Sequence, residues 1–224
     1  MDTRRPRICM PIVPTCCNNI ERLPDKAQPH KIIHMIHEDS DYANDHERVC
    51  DMAAFVIAGF DTTANTLAFC FRELAQNQDE QTALRESIRR CQTPEEARVA
   101  VKNVTREIMR LYPAAAMGSV RQLGKDLVVP GEKKRILPKG SIVLTSYYSL
   151  QRSTELFGDD ANDFVPGRWE NATPEQTKAF LTFAAGKRNC QGQSLAMAEM
   201  TEVVARLCRD YQFEIVQAGR AENI

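Results

Sequence analysis

Apolar residues recur at helical spacing from Asp45 to Gln76, over more turns than an ordinary helix, and predict a long helix central to a large α-rich domain. A second helix is expected over Asp79–Cys91. Thr93-Pro94-Glu95-Glu96 has the form of a capping box with proline at the first helical position, so a third helix starts there and ends by Pro113. From Ser119 to Tyr148 the texture changes to β-type runs, Val120–Leu123, Leu127–Pro130 and Ile142–Tyr147, broken at Pro130-Gly131 and Pro138-Lys139-Gly140. Residues 153–185 read as an irregular meander. A last helix over Gln193–Arg209 precedes a short strand at Gln212–Val216. Residues 1–30 carry Pro6, Pro11, Pro14, Pro24 and Pro29 and read as irregular or disordered, which leaves 31–224 as the folded part. The fold class expected is α+β, predominantly α-helical, without internal repeats.

Composition narrows the function classes. A hydrophobic fraction of 43% in 224 residues is ordinary for a globular chain, and a net charge of −1 carries no electrostatic signal for nucleic acid. The eight cysteines are scattered through apolar helical segments, so reduced thiols are expected rather than a disulfide framework. The longest unbroken apolar run, Met52–Phe60, has nine residues, too few to cross a bilayer, and the polar opening Met1-Asp-Thr-Arg-Arg-Pro does not read as a signal peptide. His30, His34 and His37 fall at helical spacing and suggest a metal site with Cys16 or Cys17; a solvated helix face explains the spacing equally.

The densest chemistry lies in Phe183-Ala-Ala-Gly186-Lys187-Arg188-Asn-Cys190-Gln-Gly192. A cysteine stands between glycines, after a basic pair and ahead of a helix. Cations and a helix N-terminus favour the thiolate, and Gly186 and Gly192 allow backbone amides to turn towards sulfur. A free cysteine buried at a helix start is the alternative.

This stretch resembles the haem-ligand loop of the cytochrome P-450 family, F-x-x-G-x-R-x-C-x-G, at each fixed position. Ala58-Gly59-Phe60-Asp61-Thr62-Thr63 resembles the family's oxygen-binding motif, A/G-G-x-D/E-T-T/S, inside what reads as a buried helix. Glu107-Ile-Met-Arg110 matches E-x-x-R, which alone would be an ordinary surface pair. Phe164-Val-Pro166-Gly167-Arg168-Trp169 resembles F-x-P-E-R-W with Gly167 in place of Glu. Ser149–Ala161 resembles H-R-x-x-x-x-(W/Y)-G-x-D-A, with Gln151 replacing the common His, a difference given little weight. The resemblance covers roughly residues 47 to 216, in the family's order.

The resemblance implies the C-terminal half of a haem-thiolate monooxygenase that inserts one oxygen atom from O2 into a lipophilic substrate. Cys190 would be the axial ligand of the haem b iron; Arg188 and Arg121 would pair with haem propionates. Phe183 would pack beside the sulfur, Gly186 and Gly192 would shape the loop, and Gly59 would make room for cofactor and dioxygen. Asp61 and Thr62 would support proton delivery. Glu107, Arg110 and Arg168 would form a buried charge network that locks the meander. Ala114–Ser119 would occupy a substrate-contacting turn. Electrons would come ultimately from NADPH through a partner reductase, with Lys187 as a candidate contact. A complete member is roughly twice this long, so the chain reads as a fragment or short form, whose parent would sit at the endoplasmic reticulum membrane. A catalytically inactive short form, acting if at all as an interaction protein, and a haem-thiolate peroxide isomerase or dehydratase are the alternatives. The Asp61-Thr62 pair disfavours the last.

Overall fold

The computed structural model describes residues 36, 38–129 and 135–216. Residues 1–30, and the histidine and cysteine cluster suggested as a metal site, lie outside them; among the described residues no group of three or more His, Cys, Asp or Glu side chains is placed to hold a metal. The chain divides into two compact units, Met1–Asp61 and Thr62–Ile224.

Helix α1, Asp45–Gln76, spans that boundary. It begins where the Asn44 side chain accepts the Glu47 amide at 3.1 Å, and in the first unit Arg48 reaches back to the carbonyls of Ile36 and Asp39. Sequence reading expects a buried helix throughout. Instead Phe55, Val56, Ile57 and Phe60 are exposed, Phe60 at 75%, and burial starts at Thr63 and continues through Thr66, Cys70, Glu73 and Leu74. By length and composition alone α1 is the one helix among the described residues long and apolar enough to cross a membrane.

The second unit is built on helices α2 (Gln78–Arg90), α3 (Pro94–Leu111) and α7 (Gln193–Asp210), each packed on the other two. Their apolar stripes meet in one core: Cys70 and Leu74 from α1, Leu84 and Ile88 from α2, Val101, Val104, Ile108 and Leu111 from α3, and Val204, Ala205 and Cys208 from α7, closed by Phe164. Each such side chain removed from water contributes about 1.5–3 kcal/mol. Thr93 caps α3 by accepting the Glu96 amide at 3.2 Å with Pro94 next in line, but Glu96 reaches back to the Gln92 N–H at 2.8 Å rather than to Thr93.

Between α3 and α7 stand two antiparallel two-stranded sheets. Strand β1 (Ser119–Gln122) pairs with β4 (Ile142–Thr145), Ser119 opposite Thr145. Strand β2 (Leu127–Val129) pairs with β3 (Arg135–Leu137), Leu127 opposite Leu137. β3 was not foreseen, because a three-residue strand leaves too short a pattern. The third predicted run stops at Thr145, since Ser146 caps the short helix α4, Tyr147–Leu150. The meander is more ordered than its sequence suggests: it holds α5 (Thr154–Phe157), a 3-10 turn (Pro166–Asn171) and α6 (Pro174–Ala179), the last opened by a reciprocal Thr173–Gln176 capping box. Around Trp169 a small second core gathers Phe157, Ala161 and Ala179.

No strand forms at Gln212–Val216. Side-chain amides take the place of a ladder: the Phe213 N–H donates to Gln81 Oε1 at 2.8 Å, and the Phe213 carbonyl accepts from Gln78 and Gln81 at 2.9 and 3.0 Å. The Phe213 backbone is satisfied this way without a strand partner.

Candidate active site around Cys190

Glu107 is the hub of the second unit. It sits on α3, wholly buried, and its carboxylate accepts five hydrogen bonds. Arg110, one helical turn on, donates Nε to Oε2 at 2.9 Å and Nη2 to Oε1 at 2.8 Å. Arg168 Nε and the Val165 amide reach Oε1 at 2.8 and 3.1 Å, and the Trp169 indole N–H reaches Oε2 at 2.9 Å. Arg110 is equally saturated, because its remaining donors go to the carbonyls of Gln151, Ala161 and Asp163. Burial alone would lower the Arg168 guanidinium, yet its bonds to Glu107 and Asp160 carry it above its ordinary value. The structure thus brings Glu107, Arg110 and Arg168 together and adds Trp169, whose ring is covered on one side by Arg106, 3.9 Å from the centroid, and meets Phe180 edge-on at 5.5 Å. Desolvation in that position lowers the Arg106 guanidinium.

The cysteine loop follows α6. Leu181 and Thr182 lead to Phe183 and Ala184, the latter at φ 56°, the one described residue other than glycine with positive φ. The Ala184 N–H donates to the Leu181 carbonyl at 2.7 Å, and the Cys190 N–H returns to the Phe183 carbonyl at 2.8 Å, which closes the loop on itself. Gly186, at φ 78°, opens a 3-10 turn, Gly186–Arg188. Cys190 is exposed, two residues before the Gly192 cap of α7, so it is not the buried thiol of the alternative reading. A Cβ on Gly192 would lie 3.9 Å from the Cys190 sulfur, in ordinary contact. Lys187 and Arg188 are exposed, and Phe183 is half-buried.

The other sequence-derived residues are dispersed. Arg121 is exposed on β1 and donates to the neighbouring Val120 carbonyl at 2.9 Å. Gly59, Asp61 and Thr62 lie on exposed turns of α1, contrary to the buried helix expected, and the Thr62 carbonyl accepts the Thr66 hydroxyl at 2.8 Å. Ala114–Met117 form an exposed turn, after which Gly118 passes close under Thr145.

Sequence reasoning missed two residues at this centre. Trp169 was read as a motif ending and is a ligand of the Glu107 carboxylate. Gln151 was given little weight and is completely buried, with bonds from its side-chain amide to α3 and to the approach to the cysteine loop. Gln151 caps the end of the short helix α4 and Trp169 lies within a 3-10 turn, positions whose distant partners no local pattern names.

The sequence model of the family described as Cytochrome P450 matches residues 21–224. The chain belongs to the cytochrome P450 family. It is 35% identical to cytochrome P450 52-M1 of Starmerella bombicola over 70% of this chain and 32% of that protein. It is 34% identical to cytochrome P450 52A3-A of Candida maltosa over 70% of this chain and 34% of that protein. With a benzoate 4-monooxygenase of Aspergillus niger it shares 33% identity over 75% of this chain and 35% of that protein. The match therefore spans about a third of the length of these P450 relatives. Membership places the chain in a family of haem-dependent monooxygenases and gives its α+β architecture a family context.

Proposed function

We propose that this chain carries the haem-thiolate end of a monooxygenase that inserts one oxygen atom from O2 into a lipophilic organic substrate. The observation that carries the reading is an exposed cysteine at the head of α7, in a self-closed loop whose approach is backed by the saturated Glu107 network. The donor set fits haem b: one accessible sulfur, with glycines on both sides and exposed arginines at 121 and 188. Cys190 would hold the haem iron, Arg188 and Arg121 would pair with propionates, Phe183 would shield the sulfur from water, and Gly59 would leave room for the porphyrin. Bound there, haem would supply oxygen-activating redox chemistry, to which thiolate donation contributes by favouring O–O cleavage.

The chain's own residues would do the rest. Glu107 and Arg110 hold the meander in place, so the loop is pre-shaped before any ligand arrives. Asp61 and the Thr62 hydroxyl would hold and pass protons on α1. Ala114–Met117 offer a small, mostly apolar contact for substrate, and Lys187 would face an electron-donating reductase fed by NADPH. The parent protein would work at the endoplasmic reticulum membrane.

A second reading is a catalytically silent form that acts as an interaction protein. The exposed Val56, Ile57 and Phe60 support it. A haem-thiolate isomerase or dehydratase is disfavoured by the presence of Asp61 and Thr62. The test is to express the chain with haem, reduce it under carbon monoxide and record the Soret band, with Cys190→Ala as control. A red-shifted band lost in the control is expected. No incorporated haem favours the silent form, and an imidazole-type spectrum removes Cys190 as the ligand.

A further inference from the structure

Helix α3 ends at Leu111 ahead of Tyr112-Pro113, so its last carbonyls need partners from elsewhere. They find them in side chains. The Met109 carbonyl accepts from the Thr182 hydroxyl at 2.9 Å and from Gln151 Nε2 at 3.3 Å; the Arg110 carbonyl accepts from Gln151 Nε2 at 3.2 Å; the Leu111 carbonyl accepts from Arg152 Nη2 at 2.8 Å. The opposite end of the Gln151 amide accepts the Leu181 N–H at 2.8 Å and lies 3.2 Å from the Thr182 hydroxyl. Its orientation is fixed, since only a carbonyl oxygen can face the Leu181 N–H and only an NH2 can face two carbonyls. Gln151 is wholly buried, and its own backbone carbonyl is held by Arg110 at 2.8 Å.

We propose that Gln151 is a positioning residue that sets where the cysteine loop begins. A continuous hydrogen-bonded path runs from α3 through the Gln151 amide to Leu181, from the Leu181 carbonyl to Ala184, and from the Phe183 carbonyl to Cys190. The Glu107 carboxylate fixes the 3-10 turn at Pro166–Asn171, and its partner Arg110 meets this path at Gln151, donating to the Gln151 carbonyl and accepting from its side-chain amide. One bridging amide therefore couples the end of the E-x-x-R helix to the segment that carries the sulfur. Its importance for haem rests on the function proposed above; its importance for the loop does not.

The experiment is amide hydrogen exchange on the full chain, wild type against Gln151→Met, which keeps the bulk and removes both hydrogen-bonding ends. Exchange at Leu181 and Cys190 should quicken on the order of tenfold, while amides of the α2, α3 and α7 core keep their rates. Gln151→His, with one donor and one acceptor, should restore most of the protection. In protein that takes up haem, the share of the thiolate-type carbon monoxide band should fall with Met and recover with His. Unchanged exchange at Leu181 and Cys190 in the Met variant overturns the proposal. So does an equal loss of protection along the whole chain, which would make Gln151 an ordinary packing residue. Should the Met variant not fold, Thr182→Val, at a half-buried site, must still quicken Leu181 and Cys190; no change there also overturns it. A wild-type chain that binds no haem would defeat the proposed function and leave the exchange result standing.

Discussion

Trp169 donates its indole N–H to Glu107 Oε2 at 2.9 Å, on the same carboxylate that two arginines already share. The ring is held for that bond by Arg106 on its face and by Phe157 and Phe180 at its edges. One acidic group thus organises a cationic, an aromatic and a backbone donor at once. Removing any partner leaves a buried charge short of a bond.

Glu107→Gln should destabilise the second unit by about 3–5 kcal/mol, because Arg110 and Arg168 would remain buried opposite a neutral group. Trp169→Phe keeps the ring contacts and drops one charge-assisted bond, for about 1.5–3 kcal/mol. Urea unfolding followed by circular dichroism reads both. A Glu107→Gln loss below about 1 kcal/mol would show that the network contributes little.

Gly118 sits at φ 71°, and a Cβ there would meet the Thr145 carbonyl oxygen at 1.8 Å. The neighbour is backbone of β4 and cannot swing aside. Gly118→Ala should therefore part β1 from β4 and lower stability by more than the roughly 1–3 kcal/mol of a strained backbone alone. Thermal unfolding measures the loss, and a variant of unchanged midpoint would mean that the turn has relaxed.

Ala184 occupies the left-handed region at φ 56° at the entrance to the cysteine loop. Glycine adopts that conformation without steric cost, although it also loosens the unfolded chain. Ala184→Gly should raise stability by about 0.5–1 kcal/mol. Denaturant titration tests this; a destabilised variant would mean that the alanine methyl makes packing contacts worth more than the strain.

Cys70 and Cys208 are buried, and burial pushes both thiols up, Cys208 to about 12. In the unfolded chain each would ionise near pH 8.5. Below that value both states are protonated and the thiols do not alter stability. As pH rises from about 8.5 towards 12 the unfolded state loses protons first, so stability should fall by roughly 1.4 kcal/mol per pH unit for each thiol. At pH 8 a thiol reagent should modify exposed Cys50 and Cys190 within minutes and reach Cys70 and Cys208 only on unfolding. Equal labelling of all four, resolved by mass spectrometry, would contradict the burial.

Local pattern made much of this legible. The bounds of α1 and the start of α3 at Thr93-Pro94 follow from periodicity and capping, which depend on neighbours a few residues away. The motif order around Glu107 and Cys190 likewise pointed to the P450 family. The short strand β3 and the ordered turns of the meander were not legible, since their hydrogen bonds go to partners that local patterning cannot name.

By itself the sequence determined the four long helices and membership of the P450 family, because each is encoded in contiguous residues. Tertiary structure alone decided that Glu107 would be saturated by donors up to 62 residues away, that Gln151 would bridge α3 to Leu181, and that Phe60 would stand in solvent. Whether a polar group is buried with partners, or an apolar one left uncovered, depends on which distant segment packs against it. Sequence spacing records no such distance.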